Sequence, residues 1–368
     1  MLRDREYLST LIKIALPIAA QNFIGSSLNA VGVLMIGQMG EVSVAAVGLA
    51  NQVFFLLNLS LFGIVSGSAI FTAQFWGRGE TGGIRKVVWL CLGLTLLLGA
   101  FFTVVALGFP RQALSLYTAD SAVIELGSQY LSIIGWSYLV TAVTFTFAVQ
   151  LRSTGHVYPP TIVSVIALAL GTALNYGFIF GEFGLPKMGV PGAALGTTLA
   201  RLLECAAMLL VTYLRKYPTA ARLADLRGIG REFVRRYLLT VLPVAANEIM
   251  WSVGITIYNM VYARISTEAI AAVNITATIE GIAFVIFIGL GNASAIMIGN
   301  RIGAGEEDKA YLYARRALKM GVVLGMLSGL VIIALNSSII AQYKISAQAA
   351  ENARGILMGM GCVLWMKG

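Results

Sequence analysis

Apolar residues run along this chain in long blocks rather than in the strict alternation of half-buried strands. The blocks fall at 11–36, 44–74, 87–109, 124–150, 158–181, 190–214, 237–262, 269–298, 318–341 and 348–366, each bounded by charged or turn-rich stretches. About 20 consecutive apolar residues cross the hydrocarbon core of a bilayer as a helix. The pattern therefore predicts an all-α polytopic membrane protein with ten spans. A membrane β-barrel needs an alternating polarity that these blocks lack.

Composition agrees with that class. Of the 368 residues, 58% are hydrophobic and only 12% charged, against about 25% charged in soluble domains. The 40 glycines suit membrane helices, which use small residues to pack closely. The net charge of +9 comes from short segments between apolar blocks, not from one basic domain, so nucleic acid is not the expected partner. With the N-terminus placed in the cytoplasm, 19 of the 26 basic residues fall on the inner side and four on the outer, while Lys13, Arg201 and Arg354 lie within apolar blocks. That asymmetry predicts a multi-pass protein of the cytoplasmic membrane with a cytoplasmic N-terminus, and it fixes the order of spans. Cys91, Cys205 and Cys362 all lie in apolar blocks and read as small core residues. No cleaved signal is expected at the N-terminus.

The long polar connection at 215–236 divides the chain into an N-terminal lobe (1–214, spans one to six), a cytoplasmic linker, and a C-terminal lobe (237–368, spans seven to ten). An internal repeat accompanies the division. Leu16-Pro17-Ile18-Ala19-Ala20 recurs as Leu242-Pro243-Val244-Ala245-Ala246, Ala45-Ala46-Val47 as Ala271-Ala272-Val273, and Ser68-Ala69-Ile70 as Ser294-Ala295-Ile296, all at an offset of 226 residues. Six spans per repeat make the two lobes parallel, related by an axis along the membrane normal. At this offset Gly368 corresponds to Ala142, so counterparts of spans five and six are missing from the second lobe. The expectation is a C-terminally truncated version of a twelve-span protein.

Enzyme signatures are absent from the sequence. His156 is the only histidine, which excludes a His-pair zinc motif, and neither a Gly-Lys dipeptide nor a G-x-S-x-G elbow occurs. Carboxylates inside apolar blocks stand out, because each costs at least ~2.5 kcal/mol to insert. Glu204 lies three residues after Arg201, a same-face spacing at which the two neutralise each other. Glu248 in span seven and Glu280 in span eight have no cation at i±3 or i±4. A carboxylate in that position can exchange a proton, or bind Na⁺ if carbonyl oxygens assist; an interhelical hydrogen bond is the structural alternative. Trp251, Ser252, Ile255 and Asn259 share a helical face with Glu248, a mixture that suits an amphiphilic, cationic compound. In the first lobe Asn22, Ser26 and Asn29 line one face of span one, and Asn51 and Asn58 one face of span two. These residues are either cavity wall or interhelical glue. Pro17 and Pro243, at matching points of spans one and seven, are candidate hinges.

The stretch from Val33-Leu34-Met35-Ile36-Gly37 through Gly40-Glu41 to Ala45-Ala46-Val47-Gly48-Leu49-Ala50-Asn51-Gln52 resembles the multidrug and toxic compound extrusion (MATE) family. So do Arg152-x-x-Gly155 with Pro160, Asn175-Tyr176 with Ile179-Phe180-Gly181, Gly184-Leu185-Pro186 and Gly189-Val190-Pro191-Gly192-Ala193-Ala194. The resemblance implies two six-helix lobes around a V-shaped cleft that exchanges H⁺ or Na⁺ for organic cations. It also exposes departures. Many members carry an aspartate in span one where this chain has Gly32, and some another in span five where it has Asn175. Glu248 resembles the family's span-seven glutamate, displaced by about one turn; a span-ten aspartate has no match, Glu351 lying near the outer end.

The expected function is a secondary antiporter exporting amphiphilic, cationic organic compounds in exchange for H⁺ or Na⁺. Glu248 carries the ion, as a proton or as Na⁺, with Glu280 as partner, and Asn22, Asn29, Asn51, Asn175, Trp251 and Asn259 line the cavity. The expected partners are the small-molecule substrate and membrane lipids, with no cofactor beyond the coupling ion and no obligate protein partner. The alternatives are a lipid-linked precursor flippase of similar architecture and, behind it, a membrane-embedded transferase.

Overall fold

The computed structural model describes residues 5–265, 267–340 and 347–366. Among them the chain forms helices α1 (Arg5–Gly37), α2 (Glu41–Gly77), α3 (Thr81–Gly108), α4 (Pro110–Ser115), α5 (Ser121–Ile134), α6 (Trp136–Ser153), α7 (Tyr158–Phe180) and α8 (Val190–Leu214). A 3-10 turn at Leu223–Gly228 leads to α9 (Arg231–Ile265), α10 (Thr267–Gly303), α11 (Glu307–Ile340) and α12 (Ala347–Val363).

The second half of α3 turns the usual amphipathic pattern inside out. On α3, Leu97, Phe101 and Val104 are 72%, 61% and 60% exposed, one turn apart on a single face. The opposite face buries Cys91, Thr95, Gly99 and Thr103. Small and weakly polar residues thus point inward, and large apolar ones outward where lipid replaces water.

Three sequence expectations change. The fourth block is not one straight helix: α5 and α6 meet at a 48° bend around Gly135. A Cβ there would lie 2.8 Å from the Ala106 Cβ, so glycine allows the turn to press against α3. The carbonyls loosened by the bend are taken by hydroxyls, Ser137 Oγ donating to Ile134 O at 2.7 Å and Thr103 Oγ1 to Gly135 O at 3.2 Å. The described helix of the tenth block, Ala347–Val363, is shorter than a span. Among the described residues eight helices are long and apolar enough to cross a membrane, nine if the bent pair counts as one, whereas α12 with its 17 residues reaches about 26 Å. Finally, the polar connection ends at Gly230. Arg231–Arg236 are already helical, because Phe233 and Tyr237 dock on Phe71 of α2 at ring separations of 6.4 and 5.6 Å.

Packing groups the chain into two compact units, one of Ala20–Met250 and one of Met1–Ala19 with Trp251–Gly368. These boundaries cut α1 and α9 in mid-helix instead of following the polar connection. The reason lies in two close helix crossings. In the larger unit α2 meets α9 at Gly63 and Gly67. A Cβ at Gly63 would lie 2.6 Å from the Ala245 Cα, and one at Gly67 3.1 Å from the Val241 Cα. In the smaller unit α10 meets α1 at Gly289, where a Cβ would lie 3.2 Å from Ala15 O and 3.4 Å from the Ala19 Cβ. Gly63 and Gly289, Ala19 and Ala245, and Ala15 and Val241 are each 226 positions apart. Pro17 and Pro243 lie inside α1 and α9, each between the two residues that face the glycine helix.

The crossings are pinned differently. In the larger unit Ser68 Oγ and the Tyr237 hydroxyl are 2.5 Å apart, Thr72 Oγ1 donates to Gln150 Oε1, and the Thr95 and Thr146 hydroxyls are 2.8 Å apart. Together these bonds tie α9 to α2 and α6 to both α2 and α3. In the smaller unit Arg301 bridges Glu6 at 2.8 Å and Glu306 at 2.5 Å. Between α6 and α7, outside the spans, His156 bonds the Thr154 hydroxyl at 2.9 Å and sits edge-on to Tyr217 and Trp76. Burial depresses its pKa, partly offset by its backbone hydrogen bond at Thr154.

Two outcomes follow. Overpacking costs about 1–3 kcal/mol, so Gly63→Ala should lower the unfolding midpoint in detergent, whereas Gly32→Ala, with open space around its Cβ, should not. Equal midpoints for Gly63→Ala and the parent would show that α2 and α9 do not meet this closely. Because folding favours neutral His156, its contribution is complete above the unfolded pKa of about 6.5 and is lost as pH falls through the lower folded value. The parent should therefore lose more stability than His156→Gln on acidification below that point, and parallel stability curves against pH would exclude the assignment.

Candidate functional site

α7 and α8 form an antiparallel pair whose contacts also shape a hollow. Along the pair Ser164 meets Glu204, Gly171 meets Ala200, and Asn175 meets Gly196 and Thr197. A Cβ on Gly196 would lie 2.9 Å from the Asn175 amide nitrogen, so the helices touch there through backbone. Between this pair and the second half of α1 lies a cavity of about 100 Å³. Leu28, Asn29 and Gly32 of α1 form one wall, and Ala167, Leu168, Gly171, Thr172 and Asn175 of α7 another. Thr197, Ala200, Arg201 and Glu204 of α8 complete it. Drug-sized pockets measure about 300–1,000 Å³, so this one accepts one end of such a molecule.

The polar groups around it differ in what they leave free. Glu204 is 4% exposed, and both of its oxygens are engaged: Ser164 Oγ donates to Oε1 at 2.7 Å and Arg201 Nη1 to Oε2 at 2.9 Å. The Arg201 side chain is 28% exposed, and its guanidinium carbon lies 5.9 Å from the centre of the Phe54 ring. Asn175 and Thr197 bond each other reciprocally, Nδ2 to Oγ1 at 3.1 Å and Oγ1 to Oδ1 at 3.3 Å. A short way off, Arg152 Nη2 donates to Gln21 Oε1 at 2.6 Å, tying α6 to α1.

Of the residues proposed from sequence, the structure brings Asn29 and Asn175 into this cavity. Asn22 on α1 is half-buried and Asn51 on α2 is exposed; neither lines it. Trp251 is exposed on α9, and the Asn259 side chain lies outside the described residues. Glu248 is half-buried on α9 and packs in the larger unit, its Cβ 3.2 Å from where a Cβ of Gly63 would stand. Glu280 is half-buried on α10, within the smaller unit. Among the described residues no three His, Cys, Asp or Glu side chains converge as metal ligands, so Na⁺ at Glu248 would draw on backbone and amide oxygens.

Arg201 and Glu204 pair as their spacing predicts, and they also line the cavity, which the sequence reading did not anticipate. The signal was present: Thr197, Arg201 and Glu204 follow one another at four and three residues, so all three share a face of α8. At Gly32 nothing lies within 4 Å of a Cβ. The position is open wall.

Comparison with known proteins places these features. A family model described as MatE matches residues 17–177 and 243–365. The probable multidrug resistance protein NorM of Thermotoga maritima is 23% identical over 343 residues, covering 93% of this chain and 73% of that protein. The NorM of Rhizobium meliloti is 29% identical over 308 residues, covering 82% and 65%. The crystal structure of a eukaryotic MATE transporter superposes with a TM-score of 0.84 at 16% identity, over 98% of this chain and 80% of the other, which shows a shared fold. With the family model covering well over half of its residues and the same fold recurring in a solved member, this chain belongs to the MatE family.

Proposed function

We propose that this protein is a multidrug efflux transporter of the cytoplasmic membrane. It expels amphiphilic, cationic organic compounds in exchange for H⁺ or Na⁺, with Glu248 carrying the coupling ion and the N-terminus in the cytoplasm. Membership of a transporter family and the names of its relatives support export over enzymatic chemistry. The observation that carries the ionic part is the position of Glu248. A carboxylate beside Gly63 sits at the edge of the closest approach between α2 and α9. Its charge bears on how tightly the two helices close, since a buried charge is costly and a neutral carboxyl is not. An ion that binds one arrangement of these helices better than another shifts the balance between them.

The flippase alternative would need several cations facing the cavity to hold a pyrophosphate. The cavity presents only Arg201, already partly neutralised by Glu204, so the exporter reading is preferred. Lys13 and Arg354 belong to the other unit.

Glu248→Gln removes the titratable group while keeping its shape. In everted membrane vesicles given a cationic fluorescent dye in the outer medium, gradient-driven uptake into the lumen should fall by about tenfold or more, equivalent to at least ~1.4 kcal/mol of lost coupling, with insertion and the unfolding midpoint preserved. Imposing H⁺ and Na⁺ gradients separately identifies the ion. Undiminished transport under both gradients would remove Glu248 from the mechanism.

A further inference from the structure

We propose that the polar connection between α8 and α9 lies in the membrane surface and binds anionic phospholipid, with its leucines among the acyl chains and its arginines on the phosphates.

The first observation is depth. Trp89 Nε1 donates to Arg222 O at 2.9 Å, and Lys86 Nζ lies 3.1 Å from where a Cβ of Gly228 would stand. The connection therefore runs along the flank of α3 and not out beyond its end. α3 has 28 residues, so it extends about 42 Å and matches the ~40–45 Å of a bilayer with its headgroups. From Thr81, where the helix starts, to Trp89 is about 12 Å along the axis. A bond at that depth sits where headgroups meet acyl chains. The Tyr213 hydroxyl donates to Ala221 O at 2.8 Å and holds the connection from the side of α8. Trp and Tyr are the side chains that favour this layer, with an apolar body and a polar tip.

The second observation is what the connection presents there. Thr219, Ala220 and Ala221 are buried, whereas Leu223 is 75% and Leu226 42% exposed in the 3-10 turn that follows. Exposed leucines gain from entering the acyl boundary, as the apolar face of an interfacial segment does. Beside them Arg222, Arg227 and Arg231 are exposed, and none of the three forms an ion pair among the described residues. Asp225, the acid of the turn, is engaged locally, its Oδ2 accepting the Arg222 backbone N–H at 2.7 Å. Glu232 is the exposed acid beside Arg231, so the surface stays basic. Bare leucines among unpaired arginines are complementary to a leaflet carrying negative headgroups. An acidic protein would satisfy the arginines but not the leucines; the leaflet satisfies both and lies against α3 already.

The test titrates the purified full chain in detergent with dioleoyl phosphatidylglycerol or dioleoyl phosphatidylcholine and reads bound lipid by native mass spectrometry. Phosphatidylglycerol should bind at least about tenfold tighter than phosphatidylcholine. Arg222→Gln, Arg227→Gln and Arg231→Gln combined should bring the ratio to about one. Arg111→Gln, which removes an exposed arginine paired with Glu125 elsewhere on the chain, should leave it unchanged. Leu223→Ser with Leu226→Ser should weaken phosphatidylglycerol by about tenfold, because the chains lose their apolar contact. Equal binding of the two lipids by the parent overturns the proposal without recourse to any variant. So does a preference that survives the triple variant, a loss as large in Arg111→Gln, or unaltered affinity in the leucine variant. Displacement of the lipid by millimolar inorganic phosphate would show a free-anion site and overturn it as well.

Discussion

Close approach of backbones at glycine is the constraint on which this molecule rests. Within a bilayer the lipid tails are as apolar as leucine, so helices gain little by hiding apolar surface from one another and associate through fit and directional bonds. Gly63 lets α2 approach α9 until a Cβ between them would force a shift, and at Gly289 a Cβ would stand tight against α1, 3.2 Å from Ala15 O. The two crossings use positions 226 residues apart, and they draw the first part of α1 and the first part of α9 into different packing units. The large side chains of α3 that face outward, Leu97, Phe101 and Val104, fit the same constraint, since the inward positions beside them, Thr95, Gly99 and Thr103, are small.

Polar atoms have two fates once this frame exists. Where helices touch, they are consumed: Ser68 with Tyr237, Thr72 with Gln150, Thr95 with Thr146, and hydroxyls at Ser137 and Thr103 on the carbonyls freed by the bend at Gly135. Where helices part, between α1 and the α7–α8 pair, a few remain available. Arg201 is the clearest instance, because the residue that neutralises it also holds it in place.

The sequence made much of this legible. Block lengths and composition defined the class, and Pro17 and Pro243, singled out as candidate hinges, lie between the residues of α1 and α9 that face glycine. The break at Gly135 was hidden because its flanks, Leu131 to Ile134 and Trp136 to Tyr138, are as apolar as any helix interior, and only contact with Ala106 reveals why a glycine is needed. The cavity was half visible. Asn29 and Asn175 drew notice as polar residues on apolar helices, yet the same reasoning nominated Asn22 and Asn51, since periodicity assigns a residue to a face without saying what the face meets. Arg201 and Glu204 were recognised as a pair, and pairing was taken as their whole purpose; that they border a hollow depends on α1 lying across α7 and α8, a tertiary fact. Glu248 stood out for want of a local cation, and its place beside Gly63 could be known only from packing.

The repeat, finally, did not yield equal fastenings. The first crossing is held by a hydroxyl pair and aromatic rings away from water, while near the second Arg301 binds Glu6 and Glu306 at the wet ends of α1, α10 and α11. Dissolved ions largely screen exposed charges more than about 8 Å apart at physiological strength, weaken exposed contact pairs to a lesser degree, and leave buried hydroxyls untouched. A rise in ionic strength thus weakens the charged fastening and spares the buried one, so in a salty medium the two crossings do not yield alike.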